Sequence, residues 1–194
     1  MVSHTFVICA YKESPYLEEC ICSLVKQTIK SNIIIATSTP NNYIKTLAEK
    51  YQLPLYINQG DSGIAQDWNF AYKQAKTKFV TIAHQDDYYC SNYLENVLKV
   101  LKCVKDPIIA FTDYGELRNG QKVERNRLLT IKRILLLPLR IKGLGKSVKV
   151  RRLCLSMGNP ICCPSTTYVK NKFPEEPFEV KYASNVDWMM LERV

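Results

Sequence analysis

Histidine and zinc-type cysteine spacings are the first features that this sequence lacks. Only two of its 194 residues are histidines, His4 and His84. The eight cysteines include two close pairs, Cys20-x-Cys22 and Cys162-Cys163, but neither pair has the spacing of a structural zinc site. With so few nitrogen ligands and no matching thiol pairs, we expect no structural zinc centre.

Long apolar runs are also missing. A membrane-spanning helix needs roughly 18 to 20 consecutive apolar residues. The most apolar segment, residues 131–141, is shorter and is interrupted by Lys132, Arg133, Pro138 and Arg140. The first strand-like run follows the initial methionine almost at once, which does not resemble a secretory leader. We therefore expect no spanning helix, reduced cysteines and a cytoplasmic location.

Acidic residues are almost absent from one basic segment. The chain has 27 Lys and Arg against 18 Asp and Glu, a net charge of +9. Residues 118–152 hold twelve of the basic residues and a single acid, Glu124, so this segment carries +11 and the rest of the chain −2. The basic character of the protein therefore belongs to one segment.

The same segment contains no Phe, Tyr or Trp. A nucleic-acid surface interleaves aromatic side chains with its charges, so we expect no nucleic-acid partner. Two interpretations stay open: a solvated basic face, or a segment whose Leu and Ile side chains enter an anionic bilayer. In the second case each Lys or Arg near the surface contributes on the order of 1 kcal/mol. That hypothesis attaches the protein to the inner face of the cell membrane.

Short apolar runs alternate with amphipathic helical patterns in the first half of the chain. Strands are predicted at residues 5–10, 32–36, 54–57, 79–83 and 107–112, and helices at 43–51, 64–76 and 92–102. Another helix is predicted to open at Ser14-Pro15, with Ser14 as N-cap and Pro15 as the first helical residue. The alternation predicts an α/β fold with a doubly wound, mostly parallel sheet flanked by helices.

The pattern changes after Asp113. Residues 118–121 are predicted as a hairpin turn. Basic sequence follows, as an amphipathic pattern at 128–142 that Pro138 interrupts and as a second run at 149–152. Residues 159–169 have the composition of a strand bounded by prolines, and a helix is predicted to begin near Asp187.

The predicted strand at 79–83 runs directly into His84-Gln85-Asp86-Asp87. Ligands of open α/β sheets bind at the carboxyl ends of the strands. Two adjacent carboxylates repel one another in such a crevice unless a cation or hydrogen-bond donors compensate them. A divalent metal ion with a bound diphosphate is one compensation. The other interpretation is a solvated turn in which Asp87 or Ser91 caps the next helix.

Four motifs follow one another in a fixed order. They are the first strand with Tyr11 and the helix containing Tyr16-Leu17-Glu18-Glu19, then Gly63-Ile64-Ala65 with Asn69, then His84-Gln85-Asp86-Asp87, and finally Asp187-Trp188. In this order and spacing the sequence resembles the family 2 glycosyltransferases of the GT-A fold over nearly its whole length. Each motif alone has little specificity, and their combination carries the resemblance.

The resemblance implies a GT-A, Rossmann-like sheet with a nucleotide-sugar-binding half at residues 1–114. It implies an acceptor-side half at 115–194, which contains the basic helical insertion 118–152. The implied activity is transfer of a sugar, with inversion, from a nucleotide-diphosphate sugar to a hydroxyl of a glycan or lipid-linked acceptor. The implied setting is the synthesis of cell-surface polysaccharide or glycolipid.

The resemblance also assigns roles to individual residues. It implies contacts to the nucleotide sugar from Cys9, Ala10, Tyr11, Glu13, Ser38, Asn69 and Asp86. It implies a Mn²⁺ or Mg²⁺ ion on Asp86 and Asp87, which agrees with the preference of these ions for carboxylate oxygens. Asp187 would be the general base that accepts the proton of the acceptor hydroxyl. The other interpretation of Asp187 is a helix N-cap.

The sequence departs from the family pattern at several positions. Thr37-Ser38 stands where the family has two aspartates near the nucleobase, and Trp68 stands where it has an arginine. His84 replaces the first acid of the metal motif, either as a metal ligand or as a buried histidine satisfied by hydrogen bonds. Trp68 either stacks on a ring or belongs to the core. These departures, and a chain that stops seven residues after Asp187, motivate the alternative of a weak or inactive truncated remnant that binds sugar nucleotides.

Overall fold

A six-stranded sheet forms the centre of the protein, in a computed structural model that describes residues 3–118, 120–182 and 184–193. Its strands are β1 (His4–Ala10), β2 (Asn32–Thr37), β3 (Leu55–Ile57), β4 (Phe79–His84), β5 (Ile109–Phe111) and β8 (Thr166–Val169). The spatial order is β3-β2-β1-β4-β8-β5. The first four are parallel, and β8 is antiparallel to β4 and β5. A mostly parallel sheet was predicted, and this prediction is confirmed.

The central strands alternate between two hydrophobic cores. On β1, Phe6 and Ile8 belong to one core cluster and Val7 belongs to the other. Successive strand residues point to opposite faces of a sheet, so both faces of β1 are buried. Strand β4 divides in the same way, with Phe79 in the first cluster and Val80 in the second. Continuous apolar runs are the sequence pattern of such doubly covered strands.

Seven helices lie in the part of the chain that the structure describes. They are α1 (Leu17–Val25), α2 (Asn42–Lys50), α3 (Ile64–Gln74), α4 (Tyr93–Cys103), α5 (Arg127–Leu135), α6 (Val148–Leu155) and α7 (Val186–Leu191). Apolar residues of α1, α2 and α4 join the first core cluster, and those of α3, α6 and α7 join the second. The helices therefore cover both faces of the sheet, as the alternation of strands and helices predicted.

Two predicted helix caps are wrong. Helix α1 begins at Leu17 rather than Pro15, because a turn comes first in which the Leu17 N–H donates to the Ser14 carbonyl. The Ser14 hydroxyl instead accepts the Tyr16 N–H at 3.3 Å. Helix α4 has Asn92 at its N-cap without a side-chain bond, so neither Asp87 nor Ser91 caps it. The Tyr93 N–H donates to the Cys90 carbonyl, and the Leu94 N–H donates to Gln27 Oε1 at 3.0 Å, so a backbone group and a side chain from elsewhere in the chain replace the expected cap.

The basic segment is mostly helical. It begins with a hairpin of β6 (Glu116–Arg118) and β7 (Gln121–Val123), which confirms the predicted turn, although Asn119 lies outside the described residues. Helix α5 follows and ends before Pro138, and a 3-10 turn at Leu137–Arg140 leads toward α6. Among the helices that can be described, none has the length and apolar character needed to cross a bilayer.

Candidate active site

The carboxyl ends of β1, β2 and β4 meet at one edge of the sheet. In the register, Cys9 is opposite His84 and Ala10 is opposite Thr37. Cys9 is half-buried, and Ala10 is only 4% exposed, so its side chain offers little surface to a ligand. The edge nevertheless presents backbone groups of all three strands. It is the edge at which ligands of open α/β sheets bind.

A reciprocal pair of hydrogen bonds ties the ends of β1 and β4 together. The Tyr11 N–H donates to Gln85 Oε1 at 3.0 Å, and Gln85 Nε2 donates to the Tyr11 carbonyl at 2.9 Å. The Tyr11 ring remains exposed at this edge, and so does Glu13 two residues later. The sequence analysis assigned no role of its own to Gln85. Its bonds to Tyr11 hold the predicted nucleotide-binding loop in place.

A carboxylate from α3 lies beside Ser38. The Ser38 hydroxyl donates to Asp67 Oδ2 at 2.9 Å, and Asn58 Nδ2 donates to Asp67 Oδ1 at 3.0 Å. Burial and the charge of Asp67 together raise the pKa of Cys9. Cys9, Ser38 and Asp67 are thus neighbours. Sequence reasoning missed Asp67 because it lies within a helical pattern and is distant from Ser38 along the chain.

Asn69 is placed in the core. Its side chain is 5% exposed, its Nδ2 donates to the Phe178 carbonyl at 2.7 Å, and its Oδ1 accepts the Phe178 N–H at 2.9 Å. These two bonds use one donor and one acceptor of the amide, and burial leaves little of the rest for a nucleotide sugar to contact. The geometry therefore gives Asn69 a structural role, fastening α3 to the chain that precedes α7.

A compact group of potential metal ligands follows β4. One ring nitrogen of His84 and carboxylate oxygens of Asp86 and Asp87 lie within 4.8 Å of one another. His84 Nδ1 is 3.6 Å from Asp87 Oδ2. His84 Nε2 is buried without a hydrogen-bond partner in the described chain. The interpretation of His84 as a buried histidine satisfied by hydrogen bonds is therefore wrong.

Trp68 fixes the orientation of the histidine ring. Its indole stacks on His84 with ring centroids 5.0 Å apart and planes 28° from parallel, and its edge meets the Phe178 ring. Trp68 also packs against the second core cluster. Both interpretations of Trp68 therefore hold in part: it belongs to the margin of the core, and the ring on which it stacks is His84.

The titration behaviour of this group follows from burial and mutual repulsion. Burial, and then the charge of Asp86, raises the pKa of Asp87 to about 7. Burial lowers the pKa of His84, although the charge of Asp86 partly opposes the effect. The imidazole is thus neutral and able to act as a ligand at neutral pH. One nitrogen and several carboxylate oxygens form a donor set that suits Mn²⁺ and is acceptable to Mg²⁺.

Asp187 lies in the first turn of α7. The N-cap of this helix is Asn185, in a left-handed conformation at φ 56° and without a side-chain bond, so the interpretation of Asp187 as an N-cap is wrong. Asp187 Oδ2 instead accepts a hydrogen bond from Asn159 Nδ2 at 2.8 Å. Burial raises the pKa of Asp187, and donors including Asn159 and the charge of Lys132 oppose the rise. Sequence reasoning missed both Asn159 and Lys132.

One open cleft of about 520 Å³ contains both carboxylate sites. Its lining includes Trp68, His84, Asp86, Asp87, Lys132, Asn159 and Asp187. This volume is within the roughly 300–1,000 Å³ typical of small-molecule sites. The cleft can therefore hold a cation with its anionic ligand near Asp86 and Asp87, while a second carboxylate faces the same space from α7.

The fold and this cleft define a glycosyltransferase domain of the GT-A type. Residues 5–159 match the family model described as Glycosyl transferase family 2. The chain belongs to this family. The matched region contains Asp67, Asp86 and Asp87 and ends at Asn159, before the helix that carries Asp187.

Similar structures extend the comparison of the fold. S. aureus TarS (residues 1–349, in complex with UDP-GlcNAc) has a TM-score of 0.65 and 18% identity, over 98% of this chain and 52% of that one. Glucosyl-3-phosphoglycerate synthase from Mycobacterium tuberculosis, in complex with UDP, has a TM-score of 0.59 and 10% identity, over 88% of this chain and 57% of the synthase chain. Mannosyltransferase PcManGT from Pyrobaculum calidifontis, in complex with GDP-Man and Mn²⁺, has a TM-score of 0.51 and 19% identity, over 61% of this chain and 37% of the PcManGT chain. At these identities the likeness concerns the fold.

A curated protein gives a shorter match. Glycosyltransferase GlyA from Streptococcus pneumoniae serotype 4 (strain ATCC BAA-334 / TIGR4) is 26% identical over 100 residues. The match includes 49% of this chain and 14% of GlyA. The chain thus spans a small part of GlyA and about half of the TarS chain.

Proposed function

We propose that this protein transfers a sugar from a nucleotide-diphosphate sugar to an acceptor hydroxyl, with inversion at the anomeric carbon and with a divalent metal ion. The observation that carries the proposal is the shared cleft, whose lining includes Asp86 and Asp87 from the end of β4 and Asp187 from α7. The proposed reaction uses carboxylates in two roles: Asp86 and Asp87 would bind the metal ion, and Asp187 would accept a proton. Two neighbours, TarS and the mycobacterial synthase, have been crystallised with UDP-GlcNAc and UDP, which supports a nucleotide-sugar donor.

Asp86 and Asp87 would hold the Mn²⁺ or Mg²⁺ ion, and His84 is the third candidate ligand. When bound, the ion would neutralise the charge that develops on the departing nucleoside diphosphate. The chain's own residues prepare this site: Trp68 stacks on the His84 ring and holds its orientation. The solved structure of the mannosyltransferase in complex with GDP-Man and Mn²⁺ supports the assignment.

Asp187 would accept the proton of the acceptor hydroxyl as that oxygen attacks the anomeric carbon. The new bond to the sugar forms on the face opposite the departing diphosphate, so the configuration inverts. Burial raises the pKa of Asp187, which makes it a stronger base than a solvated aspartate. Asn159 Nδ2 donates to one carboxylate oxygen at 2.8 Å and thereby orients the carboxylate in the cleft.

A donor screen tests this function. We expect one of UDP-GlcNAc, GDP-mannose and dTDP-glucose to raise the melting temperature when Mn²⁺ is present. At one hundred times the dissociation constant, ligand linkage adds about 2.7 kcal/mol of stability, which is roughly 5–10 °C for a chain of this size. The measurement is thermal unfolding with each donor, with and without Mn²⁺.

The free sugars and an oligonucleotide serve as controls and should leave the melting temperature unchanged. If no nucleotide sugar stabilises the protein at saturating concentration, the proposed donor class is wrong. If a donor binds and no acceptor is ever glycosylated, the protein is the inactive sugar-nucleotide-binding remnant instead.

The proposed setting is the surface of an anionic membrane, where the acceptor of cell-surface polysaccharide or glycolipid synthesis would be found. In the basic segment, Leu129 is buried, but Leu128, Ile131, Ile134, Leu137 and Ile141 are 46–60% exposed. These apolar side chains share the segment with a charge of +11. A bilayer with anionic lipids would accept both the apolar side chains and the positive charges.

Vesicle co-sedimentation tests the membrane proposal. We expect binding to vesicles of equal parts phosphatidylglycerol and phosphatidylcholine, weakening as salt shortens the Debye length. Replacing Ile134 and Ile141 together by Ser should weaken binding roughly tenfold or more, because both side chains lose apolar contact. The matched control replaces the exposed Val104 and Val180, outside the segment, by Ser. Equal sedimentation of both double variants, or no binding at low salt, would remove the membrane from the proposal.

A further inference from the structure

A second cavity of about 220 Å³ lies between the end of β5 and helix α5. Phe111, Leu129, Leu136 and Leu139 form its apolar wall. We call this cavity the side pocket. It is smaller than the roughly 300–1,000 Å³ of sites that enclose a whole small molecule. Its size therefore excludes the nucleotide sugar and fits a smaller group with a few carbon atoms attached.

The side pocket is positively charged. Of its cations, Arg133 is neutralised, because its Nε donates to both carboxylate oxygens of Asp113 at 2.9 and 3.0 Å. Lys132 Nζ donates to the neutral Tyr114 hydroxyl at 2.7 Å. Arg140 is exposed at the pocket and makes no side-chain hydrogen bond or ion pair within the described chain. Arg140 therefore faces this cavity without an acidic partner in the described chain, while the charge of Lys132 also acts on Asp187 in the cleft.

Lys132 connects the side pocket with the cleft. Its side chain lines both cavities, and the cleft contains Asp187. A molecule anchored in the side pocket can thus extend past Lys132 toward the carboxylate that would act as base. Its anchor would be separate from the diphosphate side of the cleft, where Asp86 and Asp87 lie.

We propose that the side pocket binds a phosphate group of the acceptor and thereby positions the acceptor hydroxyl at Asp187; this inference rests on the proposed function. Arg140 would bind two phosphate oxygens with its planar guanidinium, and Lys132 would contribute a point charge. The Tyr114 hydroxyl accepts from Lys132 and keeps its own proton for donation to a phosphate oxygen. The apolar wall would receive the carbon atoms next to the phosphate.

Calorimetry with hexyl phosphate, hexanol and inorganic phosphate tests the proposal on the whole chain. We expect saturable binding of hexyl phosphate and none of hexanol at the same concentrations. Arg140→Gln should weaken hexyl phosphate binding about tenfold, equivalent to ~1.4 kcal/mol. Arg140→Lys should lose less affinity for hexyl phosphate than Arg140→Gln, because lysine keeps the positive charge although it lacks the bidentate geometry. The matched control Lys149→Gln removes the same charge from an exposed position of the basic segment and should bind like the wild type.

The probes also distinguish two sources of the phosphate. Tighter binding of hexyl phosphate than of inorganic phosphate assigns the pocket to a lipid-borne phosphate, and equal binding assigns it to a water-soluble phosphate; both support a phosphate site. Absence of saturable binding, or equal weakening by Arg140→Gln and Lys149→Gln, would overturn it. Donor stabilisation in Mn²⁺ is measured on the same samples. If Arg140→Gln loses hexyl phosphate binding but is still stabilised by the donor, the proposed function is unaffected. If the wild type is not stabilised by any donor, the proposed function fails independently of the side pocket.

Discussion

Asp187→Asn is expected to lower kcat about a hundredfold or more and to leave the donor dissociation constant nearly unchanged. The amide has almost the same size as the carboxylate, and its oxygen can still accept the hydrogen bond from Asn159. It cannot take the proton of the acceptor hydroxyl. The measurement is steady-state kinetics with the donor and acceptor of the wild-type reaction, together with calorimetric titration of the donor.

Two further observations make the test of Asp187 specific. Glu192→Gln removes a carboxylate just beyond the end of the same helix, away from the cleft lining, and should turn over at the wild-type rate. Wild-type kcat should fall at low pH along a limb set by the pKa of Asp187, which burial raises, because only the ionised form accepts a proton. A variant Asp187→Asn with wild-type turnover would show that another group is the base.

Asp86→Ala and Asp87→Ala are expected to abolish the Mn²⁺-dependent part of donor binding. Each substitution removes one carboxylate from the group of His84, Asp86 and Asp87, whose ligand atoms lie within 4.8 Å of one another. Because such an ion is held by only one or two protein carboxylates, the loss of either should weaken its binding strongly. The expected loss is most of the roughly 5–10 °C stabilisation by donor and Mn²⁺. The matched control Asp61→Ala removes an exposed acid from the loop before α3 and should keep the full stabilisation.

The pH dependence of this binding has a definite sign. Burial, and then repulsion by Asp86, raises the pKa of Asp87 to about 7, so protons compete with the metal for this carboxylate below that pH. Mn²⁺ affinity should therefore weaken steadily as the pH falls from 8 to 6 in the wild type, as measured by titration calorimetry. A metal role for this pair is refuted if wild type and both variants bind the donor equally in EDTA.

The sequence predicted the sheet and one side of the cleft because both depend on local patterns. The mostly apolar residues 79–83, followed shortly by Asp86 and Asp87, predict a buried strand whose carboxyl end carries charged side chains. The strand register places this end beside Cys9. The same reasoning placed Asp187 near the start of a helix. The positions of the helix ends were less predictable, since the carbonyl of Ser14 closes a turn before α1 and the carbonyl of Cys90 and the distant side chain of Gln27 accept the first N–H groups of α4.

The rest of the site depends on contacts between distant parts of the chain. Asn159 meets Asp187, and Asp67 meets Ser38, only after the sheet has formed. Neither Asn159 nor Asp67 belongs to a local pattern that distinguishes it from an ordinary polar residue. Asn69 illustrates the opposite case, because its place in a motif predicted a ligand contact while its two bonds to Phe178 assign it to the core.

The position of β8 has a consequence for how the chain folds. This strand comes last in sequence but lies between β4 and β5, and it pairs with both. Within the described chain, β5 pairs only with β8, so it has no partner in the sheet until residue 169 has left the ribosome. Helix α4 connects β4 to β5, and these two strands are separated by the position that β8 fills. Such non-local pairing slows folding and leaves strand edges exposed meanwhile. The predicted nucleotide-sugar-binding half and the predicted acceptor-side half thus share one sheet, because β8 of the second half joins β4 to β5 of the first.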